Sequence, residues 1–99
     1  MKITVHSLHF DAGSKLLEHV DAKVSKLSTF YDGIITAEVT LKLEKSDVSE
    51  NKIAEINVQI PGDNLFCARQ AKSFEEAVNL SVDALRKQLQ KAKEKSQEK

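Results

Sequence analysis

Apolar and polar residues alternate in some stretches of this chain and recur every three or four positions in others. Ile3 and Val5 alternate with polar neighbours, and with Leu8 and Phe10 they predict a strand, β1, over residues 2–10. Asp11, Gly13 and Ser14 then supply turn and cap chemistry. Leu16, Leu17, Val20, Val24 and Leu27 follow at helical spacing and predict α1 over residues 13–29, with Lys15, Glu18, Asp21, Lys23, Ser25 and Lys26 turned to water. Asp32-Gly33 breaks that pattern. From Ile35 onward, Ala37, Val39, Leu41 and Leu43 share one strand face, while Thr36, Glu38, Thr40, Lys42 and Glu44 share the other, which predicts β2. A polar loop over residues 45–51 leads into β3, where Ala54, Ile56, Val58 and Ile60 alternate with Glu55, Asn57 and Gln59. Pro61-Gly62-Asp63-Asn64 reads as a turn, because Pro fixes φ and Gly accepts positive φ. β4 returns from it with Leu65 and Cys67 inward and Phe66, Ala68 and Gln70 opposite.

Ser73, with Glu76 three residues later, forms a capping-box pattern that opens a long helix, α2, over about residues 73–94. Phe74, Val78, Ser81, Val82, Leu85 and Leu89 mark its buried stripe. The order βαβββα, with one apolar and one polar parity in β2 and β3, predicts an α+β two-layer sandwich: a four-stranded sheet with two roughly parallel helices on one face. Residues 1–95 read as one domain and residues 96–99 as a flexible basic tail.

Composition narrows the class. The chain has 99 residues, 40% of them hydrophobic and 30% charged, which suits one soluble domain and neither a disordered nor a membrane protein. The N-terminus lacks the apolar stretch of a secretory signal and the single Cys cannot form an internal disulfide, so a reducing cytosol is expected. His6 and His9 are three apart in a predicted strand and point to opposite faces, and His19 has no partner at ligand spacing; no metal site and no cofactor are expected. Cys67, on the inward parity of β4, reads as a core residue rather than a nucleophile. With no carboxylate pair, phosphate loop or nucleophile elbow, an enzyme with a small-molecule substrate is not expected.

The net charge is zero, from 15 basic and 15 acidic residues, but it is unevenly spread. Residues 86–99 hold six basic groups, Arg86, Lys87, Lys91, Lys93, Lys95 and Lys99, against two acidic ones, while Glu75, Glu76 and Asp83 precede them. Acids at the start of a helix and bases at its end complement the macrodipole, and a solvated tail explains the rest. A sharper reading places Lys87 and Lys91, four apart, beside Lys23 and Lys26 of α1 as one stripe for a phosphate backbone. Phe66 and Tyr31 are the exposed aromatic candidates, too few for a base-stacking platform, so backbone and shape recognition of structured RNA fits better.

Three segments carry a resemblance: Val20-Asp21-Ala22-Lys23-Val24-Ser25-Lys26-Leu27, the strand Val39-Thr40-Leu41-Lys42-Leu43-Glu44-Lys45, and the helical stretch Ala77 to Leu89 followed by Lys91, Lys93 and Lys95. Together, in this order, they resemble the ribosome hibernation promoting factor family, which includes the ribosome-associated inhibitor A proteins and was formerly called sigma-54 modulation proteins. The resemblance implies a βαβββα domain, monomeric when free, that binds the small ribosomal subunit and its 16S rRNA in the mRNA and tRNA channel between head and body. It would inhibit translation there in stationary phase or stress. It also implies rRNA contacts by Lys23, Lys26, Lys42, Arg86, Lys87, Lys91, Lys93 and Lys95. The chain departs from the family pattern at Ser73-Phe74-Glu75, where many members read Asp-Met-Tyr, and at Ala84, where many carry Lys. It ends without the added C-terminal domain of long members, which reads as a short form. The alternative is a protein-binding regulator of transcription that needs no RNA. A double-stranded-RNA-binding domain is disfavoured, since such domains begin with a helix.

Overall fold

A computed structural model of the chain describes residues 1–8, 10–44 and 50–97, with side chains as far as Lys95. His9, most of the predicted 45–51 loop and residues 98–99 lie outside the described residues. The elements are β1 (Lys2–Leu8), α1 (Ser14–Ser25), a 3-10 turn (Lys26–Thr29), β2 (Thr36–Leu43), β3 (Lys52–Ile60), β4 (Asp63–Ala71) and α2 (Phe74–Gln97). The strands lie in the order β1-β2-β3-β4. β1 and β2 pair in parallel, as the intervening helix requires, and the other two pairings are antiparallel. The α+β sandwich expected from the pattern is therefore the fold of the chain.

The parallel pair decides where the helices end. α1 must run back along β1 to reach the start of β2, and two reversals later β4 points the same way as β2, so α2 also runs back. Both helices finish at the same end of the sheet, near Ile34 and the Ile60–Asp63 turn. There Gly62 takes φ +82°, which with Pro61 before it satisfies a two-residue hairpin connection.

The core lies on one face only. Ala37, Val39, Leu41, Ala54, Ile56, Val58 and Cys67 of the sheet pack with Val20 and Val24 of α1, Leu27 of the 3-10 turn and Ala77, Val78, Leu85 and Leu89 of α2. Fully burying each Val, Leu or Ile of this set stabilises the fold by about 1.5–3 kcal/mol before conformational entropy is charged against it. Ser81, fully buried within the apolar stripe of α2, donates its hydroxyl to Ala54 O at 2.9 Å, which satisfies the polar atom and sets the depth at which α2 seats on β3. Cys67 is buried and free, as its strand parity predicts.

Several boundaries differ from the pattern. Ser25, Ser28 and Thr29 donate their hydroxyls to the carbonyls of Ala22, Ser25 and Lys26. These bonds accompany the tightening of the last turn of the predicted 13–29 helix into a 3-10 turn. β1 ends at Leu8, and Phe10 leaves the strand to stack on Phe74 at 4.5 Å and 9°. Leu17 and Leu43, assigned to buried faces by period, are substantially exposed because each stands at the margin of its layer. The Glu76 amide donates to Ser73 Oγ at 3.1 Å, so the Ser73 half of the predicted capping box is in place, and α2 continues to Gln97 instead of ending near 94. Its backbone thus includes the first two residues of the expected tail.

Candidate nucleic-acid interface

The buried stripe of α2 is pinned to the sheet, so the 100° advance per residue dictates where each cation points. Arg86 turns toward α1. Its guanidinium lies 5.6 Å from the centroid of the Phe30 ring and donates to Asp83 Oδ1 at 3.0 Å. Lys23, Lys26, Phe30, Asn79, Asp83 and Arg86 line one hollow of about 270 Å³ between the helices. Above it, His19 Nε2 and Asn79 Oδ1 are 2.9 Å apart and tie α1 to α2. The 3-10 turn matters here, because it carries the chain from Lys26 to Phe30 within reach of Arg86. Lys93, seven residues after Arg86, returns to the same flank and is exposed.

Lys87 and Lys91 do not join Lys23 and Lys26, contrary to the stripe drawn from sequence. Lys87 lines a separate hollow of about 430 Å³ with Arg69, Leu80, Ala84 and Gln88. Lys91 and Lys95 line a groove by the β3–β4 turn. The spacing of four keeps Lys87 and Lys91 together but carries Lys91 about 140° round the helix from Arg86. Arg86, not Lys87, completes the α1 cluster. Gln88 Nε2 donates to Phe66 O at 3.2 Å on β4, which confirms that this second flank overhangs the sheet edge.

Between the flanks stands Asp83, its Oδ2 3.8 Å from Lys87 Nζ while Oδ1 accepts from Arg86. The hydrogen bond from Arg86 and the charges of Lys87 and Arg86 hold its carboxyl below the usual aspartate range, against an opposing contribution from desolvation. The carboxylate offsets part of the charge of the two cations it spaces, and Lys87 remains 69% exposed.

Lys42 is on the other side of the molecule. It projects from the helix-free face and donates to Glu55 Oε2 at 2.8 Å across the β2–β3 pairing. The structure thus gathers seven of the eight expected residues around the helices and separates the eighth. Two residues were missed by sequence reasoning. Arg69 occupies the otherwise apolar parity of β4, a charge out of pattern that could have flagged it, and Phe30 had no signal because its placement depends on the 3-10 turn. Tyr31, expected to be exposed, is half-buried, whereas Phe66 is 56% exposed on the helix-free face. Among the described residues, no group of three or more His, Cys, Asp or Glu side chains could hold a metal ion, and no helix is long and apolar enough to cross a membrane.

The profile of the family described as sigma 54 modulation protein / S30EA ribosomal protein matches residues 3–97. The chain belongs to this family. Similar members include the ribosome hibernation promoting factor of Klebsiella oxytoca, 30% identical over 95 residues that cover 96% of this chain and 94% of the relative. That of Pseudomonas putida is 28% identical over 97 residues, covering 98% and 91%. Among solved structures, a ribosomal subunit interface protein from Coxiella burnetii superposes with a TM-score of 0.84 at 24% identity, covering 94% of this chain and 98% of its own. The N-terminal domain of Thermus thermophilus Protein Y gives 0.80 at 24% identity, covering 92% and 98%. At that identity these two show the shared fold.

The two departures from the S30EA pattern have structural counterparts. Ser73 is the helix cap and Phe74 is the stacking partner of Phe10. Ala84 lines the hollow that Arg69 and Lys87 share, so a cation from β4 stands near the helix position at which the resemblance implies a lysine.

Proposed function

We propose that this S30EA family protein is a cytoplasmic, non-enzymatic inhibitor of translation that occupies the mRNA and tRNA channel of the small ribosomal subunit in stationary phase or stress. Its helices would face the 16S rRNA and its body would exclude tRNA and mRNA. One observation carries the reading: the shared direction of α1 and α2 brings Lys23, Lys26 and Arg86 on one flank, and Lys87, Lys91 and Lys95 on the other, to the same half of an electrically neutral molecule. Phosphate neutralisation needs such local positive charge, whatever the net charge. Lys42, paired on the opposite face, is left out of this surface.

Co-sedimentation with purified small subunits tests the reading. Binding should weaken sharply when Lys23, Lys26, Arg86 and Lys91 are all changed to Glu, and the complex recovered from stationary-phase lysate should be lost after RNase treatment. An RNase-resistant complex that survives high salt would support the transcription-regulator alternative instead.

A further inference from the structure

Where both helices finish, a groove of about 510 Å³ opens beside the β3–β4 turn, within the size range of ligand pockets. Buried Ile60 and half-buried Leu65 and Ala92 give it an apolar floor. Half-buried Tyr31 is the aromatic residue of its lining. Exposed Lys91 and Lys95, one helical turn and about 6 Å of rise apart, stand at its rim.

We infer that this groove takes one unpaired nucleotide of an RNA strand, with the base against Tyr31 and the apolar floor and the adjoining phosphate between Lys91 and Lys95. The inference rests on the proposed function and names the part of the RNA that this flank holds. Three properties select the ligand. A base offers a flat π face to an aromatic ring, which a paired and stacked base in a duplex does not expose. The two amines complement one phosphate or two neighbouring ones. Asp63, the acid lining the same groove, repels phosphate, which orients the backbone toward α2. The groove is therefore a single-nucleotide clamp within a surface that otherwise reads backbone charge.

Tyr31 is the only tyrosine and the chain has no tryptophan, so its emission reports on this groove alone. The intact protein is titrated with a six-nucleotide unpaired RNA, the same RNA in a duplex, a nucleoside monophosphate and an acidic peptide of equal charge. Unpaired RNA should quench the emission, with affinity at least about tenfold above duplex and peptide, and the nucleoside monophosphate should quench it too, at higher concentration. Fluorescence anisotropy of labelled RNA should show Tyr31→Phe binding as wild type, and Tyr31→Leu and Lys91→Gln/Lys95→Gln binding about tenfold more weakly, a modest loss for a stacked base. Equal quenching by duplex or peptide overturns the assignment, as do absence of quenching by saturating nucleoside monophosphate and wild-type affinity of Tyr31→Leu. Should that variant not fold, quenching of the wild-type protein decides alone. Wild-type subunit co-sedimentation without groove quenching sinks this inference and spares the proposed function, whereas absence of wild-type co-sedimentation sinks both.

Discussion

The two-flank arrangement predicts how binding responds to salt when one flank is silenced. Each phosphate neutralised by a cation contributes about 0.9 to the slope of log affinity against log salt for a duplex. If Lys23, Lys26, Arg86, Lys87, Lys91 and Lys95 each meet one phosphate, the slope is about −5.4, and raising salt from 50 to 200 mM weakens binding roughly 2,000-fold. Changing Lys23, Lys26 and Arg86 to Gln removes the α1 flank and leaves the core untouched, since none of the three is among the buried residues. The slope should fall to about −2.7, and the same salt step should then cost only about 40-fold. Lys42→Gln, on the opposite face, should leave the slope unchanged. Anisotropy of labelled protein against small subunits at five salt concentrations measures all three lines. Parallel lines for wild type and the triple variant would refute simultaneous engagement of both flanks, and a shallower line for Lys42→Gln would refute the choice of face.

Asp83→Asn should tighten binding to the subunit at low salt, because it removes the one acid between Arg86 and Lys87; the same anisotropy assay reads it. In NMR titration the Asp83 carboxyl of the free protein should titrate below the ordinary aspartate value of 3.8, and Arg86→Gln should move it upward. Its folded pKa is depressed, so the stabilisation from that ion pair is complete above the unfolded value and is lost as pH falls through the folded one. Leu85→Ala, at a fully buried site facing the sheet, should cost about 2–5 kcal/mol in urea unfolding and lower the Tm by 8 °C or more, by about 4 °C per kcal/mol. Gly62→Ala should cost about 1–2 kcal/mol through its φ of +82° alone, since an added Cβ there meets nothing within 4 Å; an unchanged urea midpoint would contradict this.

Strand assignments were legible because a sheet covered on one face leaves a period of two in the sequence: Ala37, Val39 and Leu41 on one strand, and Ala54, Ile56 and Val58 on the next, are all fully buried. The Ser73 cap and the Pro61-Gly62 turn were legible for the same reason, being rules satisfied within four residues. The 3-10 turn was not, because Ser25, Ser28 and Thr29 are tolerated in a helix and only their hydroxyl bonds to the preceding turn reveal the tightening. The candidate site was half legible. The cations of its two helices were picked out and Arg69 of β4 was not, and placing Lys87 and Lys91 required knowing toward which side of α2 the first helix lies. Spacing gives relative phase; only packing fixes its origin. Arg86 over Phe30 supplies that origin.

The capping explanation of the C-terminal bases and the phosphate-binding explanation are one arrangement seen at two scales. In each helix alone, Lys23 near the end of α1 and Lys95 near the end of α2 offset a partial charge of roughly −0.5. The parallel β1–β2 pair then brings both helix ends to one side, where their carbonyls together amount to roughly −1 and would by themselves repel an anion. Against that stand Lys23, Lys26, Arg86, Lys87, Lys91, Lys93 and Lys95, opposed by the carboxylates of Asp63, Asp83 and Glu94, so the local balance is roughly +3 after the helix ends are counted. The cations outweigh what capping requires by several charges. That surplus, concentrated by the shared direction of two helices in a chain of zero net charge, is what a polyanion would recognise, and it is why the attraction should depend so steeply on salt.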